Sequence, residues 1–158
     1  MRQFKATPGG IRVTFTEIEA NVLRDMAEQL AVLLRDHDDR VGDPALRRLL
    51  PDGYRDNKDD AAEFRRYTET ELVDDKVAGA ATIIESLTRH PQRGTVRLTL
   101  DEADAVAWLR SLNDIRLAMA ARLGIQDDFY RPDPTENDFI IYQWLGQVQH
   151  SLLRAVDR

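Results

Sequence analysis

The chain has 158 residues, 28 of them acidic and 22 basic, with a net charge of −6, a pI near 5.1 and no cysteine. Its length predicts a single domain over residues 1–158, able to bury about two thirds of its unfolded surface without a disulfide or a metal. The missing thiols exclude disulfide frameworks, thiol redox chemistry and thiolate metal sites, and the acidic balance disfavours direct nucleic-acid binding, whose affinity comes largely from neutralised phosphates.

Phe4 to Ala6 and Ile11 to Phe15 flank a TPGG turn, and Ile11, Val13 and Phe15 alternate with Arg12 and Thr14, which predicts a short β-hairpin. Two overlapping capping boxes, Thr14 with Glu17 and Thr16 with Glu19, precede a helix that carries Ile18, Val22, Met26, Leu30 and Leu33 on one face and runs to about Arg35. HDDRVGD breaks that period. Asp43 then caps a short helix with Pro44 in its first turn, ended by Pro51 and Gly53.

A long helical run from Asp59 carries Ala62, Phe64, Leu72, Val73, Val77, Ala80, Ile83, Ile84 and Leu87, with a bend expected near Gly79. It stops at His90-Pro91, because the residue before a proline is pushed out of helical geometry. TVRLTL at 95–100 alternates as a further strand, and Thr99 with Glu102 predicts a capping box for a helix bearing Val106, Leu109, Leu112, Ile115, Met119 and Leu123, closed by Gly124. After the acidic, proline-containing stretch IQDDFYRPDPTEND, the positions Phe139, Ile141, Leu145, Val148, Leu152 and Val156 mark a last helix.

RVTFTEIEA at 12–20 resembles RLTLDEADA at 97–105, each a strand running into a capped helix. A strand feeding a helix start is a common local solution, so only one consequence is kept, that the two strands pair. The predicted fold class is mainly α within α+β. It is a helical bundle of four long helices plus a short one, with a small two- or three-stranded sheet from the N-terminal hairpin and the 95–100 strand.

Few residues carry recognisable chemistry. His37, His90 and His150 have none of the spacings that place two metal ligands on one helical face, and the carboxylates Asp52, Asp56, Asp59 and Asp60 lack the alternation, central glycine and terminal glutamate of a calcium loop. Asp59 and Asp60 instead suit a helix N-terminus. Ser86, Ser111 and Ser151 have no glycine elbow, and none of the eight glycines belongs to a phosphate loop. No catalytic residue, metal or cofactor is assigned, and the chain reads as non-enzymatic.

Two groups stand out. Arg47 and Arg48, Arg65 and Arg66, with Tyr54 and Tyr67, surround the Pro/Gly turn between two helical runs and read as a partner-binding surface; the same arginines converging on one face would make a DNA-binding patch. Asp114 and Arg116 interrupt an apolar helix beside Leu112, Ile115 and Met119, which predicts a partly buried ionic network with Glu63, Arg65 or Arg66, or else a ligand-holding pair. Tyr142 and Trp144 are expected to pack on the core, while Gln143, Gln147 and Gln149 leave a polar, uncharged face suited to another protein chain. No apolar run approaches the ~18 residues of a membrane span, and MRQFKATPGG lacks the apolar core of a signal peptide, so no membrane association and a cytoplasmic location are expected.

Four blocks, DPALRRLLPDGYRD, AAEFRRYTETEL, LNDIRLAMAARLGI and IYQWLGQVQHSLL, lie in order between residues 43 and 153. Together they resemble an actinobacterial family of oxidative-stress transcriptional regulators that constitutes a domain of unknown function. The resemblance implies a cytoplasmic regulator without an established catalytic motif, often encoded beside the adaptor of the Clp protease. A redox sensor of this kind is expected to use a cysteine pair, which this chain lacks, and Met26 and Met119 on apolar faces are poor replacements. The resulting expectation is a regulatory or adaptor protein that binds another protein, with the transcription machinery as the partner class and a homo-oligomer left open. The alternatives are a small-ligand binder or enzyme with its site near Asp114, Arg116 and Glu63, and direct DNA binding.

Overall fold

The computed structural model describes residues 1–50, 62–88, 94–125 and 133–157, with side chains for all of these except 62–66. The features predicted at Pro51, Asp52, Gly53, Tyr54, Asp56, Asp59, Asp60 and His90, and at the side chains of Glu63, Phe64, Arg65 and Arg66, lie outside the described residues.

The hairpin forms from β1 (Arg2–Thr7) and β2 (Gly10–Thr16), and the Thr7 hydroxyl donates to the Gly10 carbonyl at 2.7 Å across the turn. Gly10 has φ +131°, and a Cβ there would lie 2.7 Å from the Leu100 carbonyl oxygen, so glycine is needed for both backbone and space. β3 (Thr95–Leu100) pairs antiparallel with β2 in unbroken register from Ile11 opposite Leu100 to Thr16 opposite Thr95, which gives the sheet order β1-β2-β3. The two segments of similar sequence therefore do pair. Alternation buries Phe4, Val13, Phe15, Val96, Leu98 and Leu100 on one face and leaves Arg2, Lys5, Arg12 and Arg97 exposed.

α1 (Glu17–Arg35) starts from the second of the two predicted capping boxes: Glu19 N donates to Thr16 Oγ1 at 3.1 Å and Thr16 N to Glu19 Oε1 at 2.8 Å. Thr14 is inside β2 and caps nothing. The buried residues are Ala20, Leu23, Ala27, Leu30, Ala31, Leu33 and Leu34, so the predicted face holds at Leu30 and Leu33 but is displaced by about one position earlier in the helix, and Ile18 is 77% exposed. Alanines at 20, 27 and 31 carry little apolar weight in a sequence pattern, yet their small side chains let α1 lie against α3.

A 3₁₀ turn (His37–Arg40) leads to α2 (Pro44–Leu49), where Asp43 Oδ1 accepts from Ala45 N at 2.8 Å, and Ala45, Leu46 and Leu49 are buried. α3 (Ala62–Thr88) and α4 (Glu102–Leu123) run antiparallel, with Ser86 beside Trp108, Gly79 against Ser111, and Lys76 beside Asp114. The cap of α4 is Asp101, whose Oδ1 accepts from Asp104 N at 2.7 Å; the predicted Thr99–Glu102 box does not form because Thr99 is still a strand residue. Gly124 closes α4 at φ +75° with Ile125 N on the Ala120 carbonyl at 2.9 Å, the left-handed helix end predicted from sequence. α5 (Asn137–Val156) covers the outer edge of the sheet, and its Ser151 Oγ accepts from Phe4 N at 3.0 Å.

The core converges on Trp108, which is fully buried and stacks on Phe15 at 6.2 Å and 8° while Phe4 meets it edge-on at 6.2 Å. Its Nε1 donates to Ser86 Oγ at 3.3 Å, so the indole satisfies its one polar atom inside the core. Val106, predicted on the core face, is 38% exposed because the helix turns Ala105 and Trp108 inward instead.

Candidate functional site

Consecutive residues on a helix project about 100° apart, and α2 separates its arginine pair accordingly. Arg48 Nη2 donates to the Ile125 carbonyl at 2.6 Å, tying α2 to the end of α4, whereas Arg47 is exposed and has no ion pair among the described residues. Tyr67, in the second turn of α3, is 65% exposed. Of the predicted partner-binding set, Arg47 and Tyr67 are therefore open to solvent and Arg48 is engaged internally. Tyr54 and the side chains of Arg65 and Arg66 are outside the described residues.

Asp114 and Arg116 are two positions apart on α4, roughly 200° around the helix, and they serve different neighbours. Asp114 faces α3, where Oδ1 accepts from Lys76 Nζ at 2.7 Å with the two side chains 6% and 19% exposed. Burial pushes the Asp114 carboxyl above its ordinary range, and the hydrogen bond and charge of Lys76 only partly oppose that. Lys76 is not marked by any local pattern: it follows Asp74 and Asp75 in a helical run read from its apolar positions Leu72, Val73, Val77 and Ala80.

Arg116 faces α5. Nη1 donates to Gln149 Oε1 at 3.0 Å, Cζ lies 4.7 Å from the Tyr142 ring centroid, and a Cβ at Gly146 would come within 3.2 Å of Nη2. Positions 142, 146 and 149 share one side of α5, so glycine at 146 opens the slot in which the guanidinium lies. Its Nε is buried and has no hydrogen-bond partner. The side chain borders a groove between β1 and α5. Gln149, placed by sequence on an outward polar face, is thus an internal partner, and the ring of Tyr142 packs on a cation rather than on apolar core alone.

Among the described residues no three His, Cys, Asp or Glu side chains are grouped so as to hold a metal ion. His37 Nδ1 is 2.8 Å from the Leu34 carbonyl, and Nε2 is 3.4 Å from Asp38 Oδ1 and 3.7 Å from Glu69 Oε1. Met26 and Met119 line a cavity of about 140 Å³ between α1 and α4. No helix among the described residues is long and apolar enough to cross a membrane.

Residues 1–156 match the family described as a domain of unknown function, DUF2017. The protein named oxidative stress regulator AosR in Mycobacterium tuberculosis (strain ATCC 25618 / H37Rv) is 35% identical over 146 residues, which is 82% of this chain and 65% of that protein. A protein of the same name in Mycobacterium bovis gives the same figures, and the putative oxidative stress regulator AosR of Mycobacterium leprae is 34% identical over 94% of this chain and 74% of its own length. The chain thus spans 65% of the length of the first two relatives. No solved structure matches it. With the match running through every described strand and helix, the chain belongs to the DUF2017 family.

Proposed function

We propose that this chain is a non-enzymatic regulatory protein that acts by binding another protein, a component of the transcription machinery. The observation that carries this reading is the 35% identity, over 82% of the chain, to proteins named oxidative stress regulator. Arg47 on α2 and Tyr67 on α3 are the proposed docking side chains, an exposed cation without an ion pair among the described residues and an aromatic left 65% exposed, the residue types that anchor protein interfaces. The chain contains no cysteine, so its regulation uses no thiol of its own.

Affinity capture from native lysate tests the reading. Arg47→Ala with Tyr67→Ala is expected to abolish recovery of a transcription component while leaving the melt within about 0.5 kcal/mol of the parent, as exposed substitutions usually do. Unchanged recovery of that component by the double variant would remove these two residues from the interface. Binding of random duplex DNA at physiological salt, lost in the same variant and falling steeply as salt rises, would replace the protein partner with DNA.

A further inference from the structure

The groove between β1 and α5 reverses the charge of the chain around it. The molecule carries −6 overall, yet the basic side chains lining this groove are Lys5, Arg116, His150 and Arg154, and no described aspartate or glutamate lines it. It is an open groove of about 1140 Å³ that mixes apolar side chains such as Leu109 and Leu153 with these cations, a lining chemistry suited to a small organic molecule.

Arg116 gives the groove a defined recognition element. A guanidinium offers five N–H donors in a rigid plane, and among the described residues a single hydrogen bond is made, from Nη1 to the neutral amide of Gln149. The remaining neighbours, the Tyr142 ring and the Cα of Gly146, fix the plane without neutralising the charge. Partly buried arginines are ordinarily paired with a carboxylate, and among the described residues Arg116 has none. Arginine meets a carboxylate or phosphate through such N–H donors; Nε is buried and has no hydrogen-bond partner among the described residues, so Nη2 is the donor left to meet a ligand. Among the described residues this guanidinium is oriented without a counter-ion.

We infer that the β1–α5 groove binds a small organic anion, with its carboxylate or phosphate on Nη2 of the Arg116 guanidinium, Lys5 and Arg154 adding attraction from the groove walls, and its apolar portion against Leu109 and Leu153. This site is separate from the docking residues of α2 and α3, so its success or failure leaves that proposal standing.

Isothermal titration of the full chain with inorganic phosphate and with citrate, at ionic strength held constant by sodium chloride, tests the inference. Saturable one-site binding of at least one probe is expected; preference for phosphate points to a phosphorylated compound and preference for citrate to a carboxylic acid. Arg116→Gln is expected to weaken that binding at least about tenfold, and Arg116→Lys, which keeps the charge and the packing stem but loses the guanidinium, should weaken it as well. Arg97→Gln, on the exposed face of the sheet, should leave it unchanged. Lys5→Gln is expected to weaken binding several-fold with an unaltered melt, which keeps the test open if the Arg116 variants fold poorly. Absence of saturable binding by both probes, equal loss in Arg97→Gln, or full affinity in Arg116→Lys and Lys5→Gln would overturn the inference. Binding confined to an acidic peptide such as polyglutamate would overturn it too, and would make the groove a protein-docking surface.

Discussion

Trp108→Ala is expected to cost about 4 kcal/mol of folding stability, within the range of large-to-small aromatic deletions in cores. The side chain is fully buried, meets Phe15 face to face and Phe4 edge to face, and carries the hydrogen bond to Ser86 that links α4 to α3. Truncation removes the contact surface shared by the sheet and both helices at once, and no exposed side chain is placed to fill the space. For a chain of this size, roughly 2–4 °C of melting temperature accompany each kcal/mol, so urea denaturation and thermal melts should both register the change. Trp108→Phe, which keeps an aromatic ring in the cluster, should recover more than half of the loss. A loss below about 1 kcal/mol for the alanine variant would mean that the indole is not at the centre of the core.

Asp114→Ala is expected to destabilise the fold by about 2 kcal/mol, below the roughly 3–5 kcal/mol that breaking a fully buried ion pair costs. The lower figure follows from Lys76, whose side chain is 19% exposed and can carry its ammonium toward water once its partner is gone. Asp114→Leu together with Lys76→Met should melt close to the parent, since replacing a buried pair with apolar groups of similar volume removes the desolvation cost along with the attraction. The pH dependence has a definite sign. Burial raises the folded-state pKa of Asp114 above its unfolded value, so folding favours the protonated form, and the contribution of this group to stability falls as pH rises from the ordinary carboxyl range through the raised value. Asp114→Asn should flatten that part of the stability profile. A profile that is unchanged in the variant would place the Asp114 carboxyl in solvent.

Local signals located most of the fold before any coordinates. Asp43 followed by Pro44, the Thr16–Glu19 box and Gly124 each act within one turn of chain, and all three appear where the spacing puts them. Boundaries that depend on a neighbour in space were less legible. The strand pairing of Thr99 with Arg12 outcompetes a cap at Thr99, and the carboxylate of Asp101, just past the strand end, takes that role.

Long-range partners were least legible of all. Asp114 interrupts an apolar helix and is legible as such, but its partner Lys76 lies 38 residues away on another helix, and no local pattern joins the two. The divergence of Asp114 and Arg116 was present in their spacing, since positions two apart face opposite sides of a helix. The slot at Gly146, by contrast, depends on how α5 crosses α4, and no local pattern encodes that crossing.

The most direct measurement of the docking account is photo-crosslinking in living cells from a photoreactive phenylalanine analogue placed at position 67, with adducts identified by mass spectrometry. The account predicts one dominant protein adduct, a component of the transcription machinery, that disappears when Arg47→Glu is added and that does not form when the analogue is placed at Arg97 on the sheet. Adducts that are absent at position 67, or that survive Arg47→Glu unchanged, or that join the chain to DNA instead of protein, would contradict it.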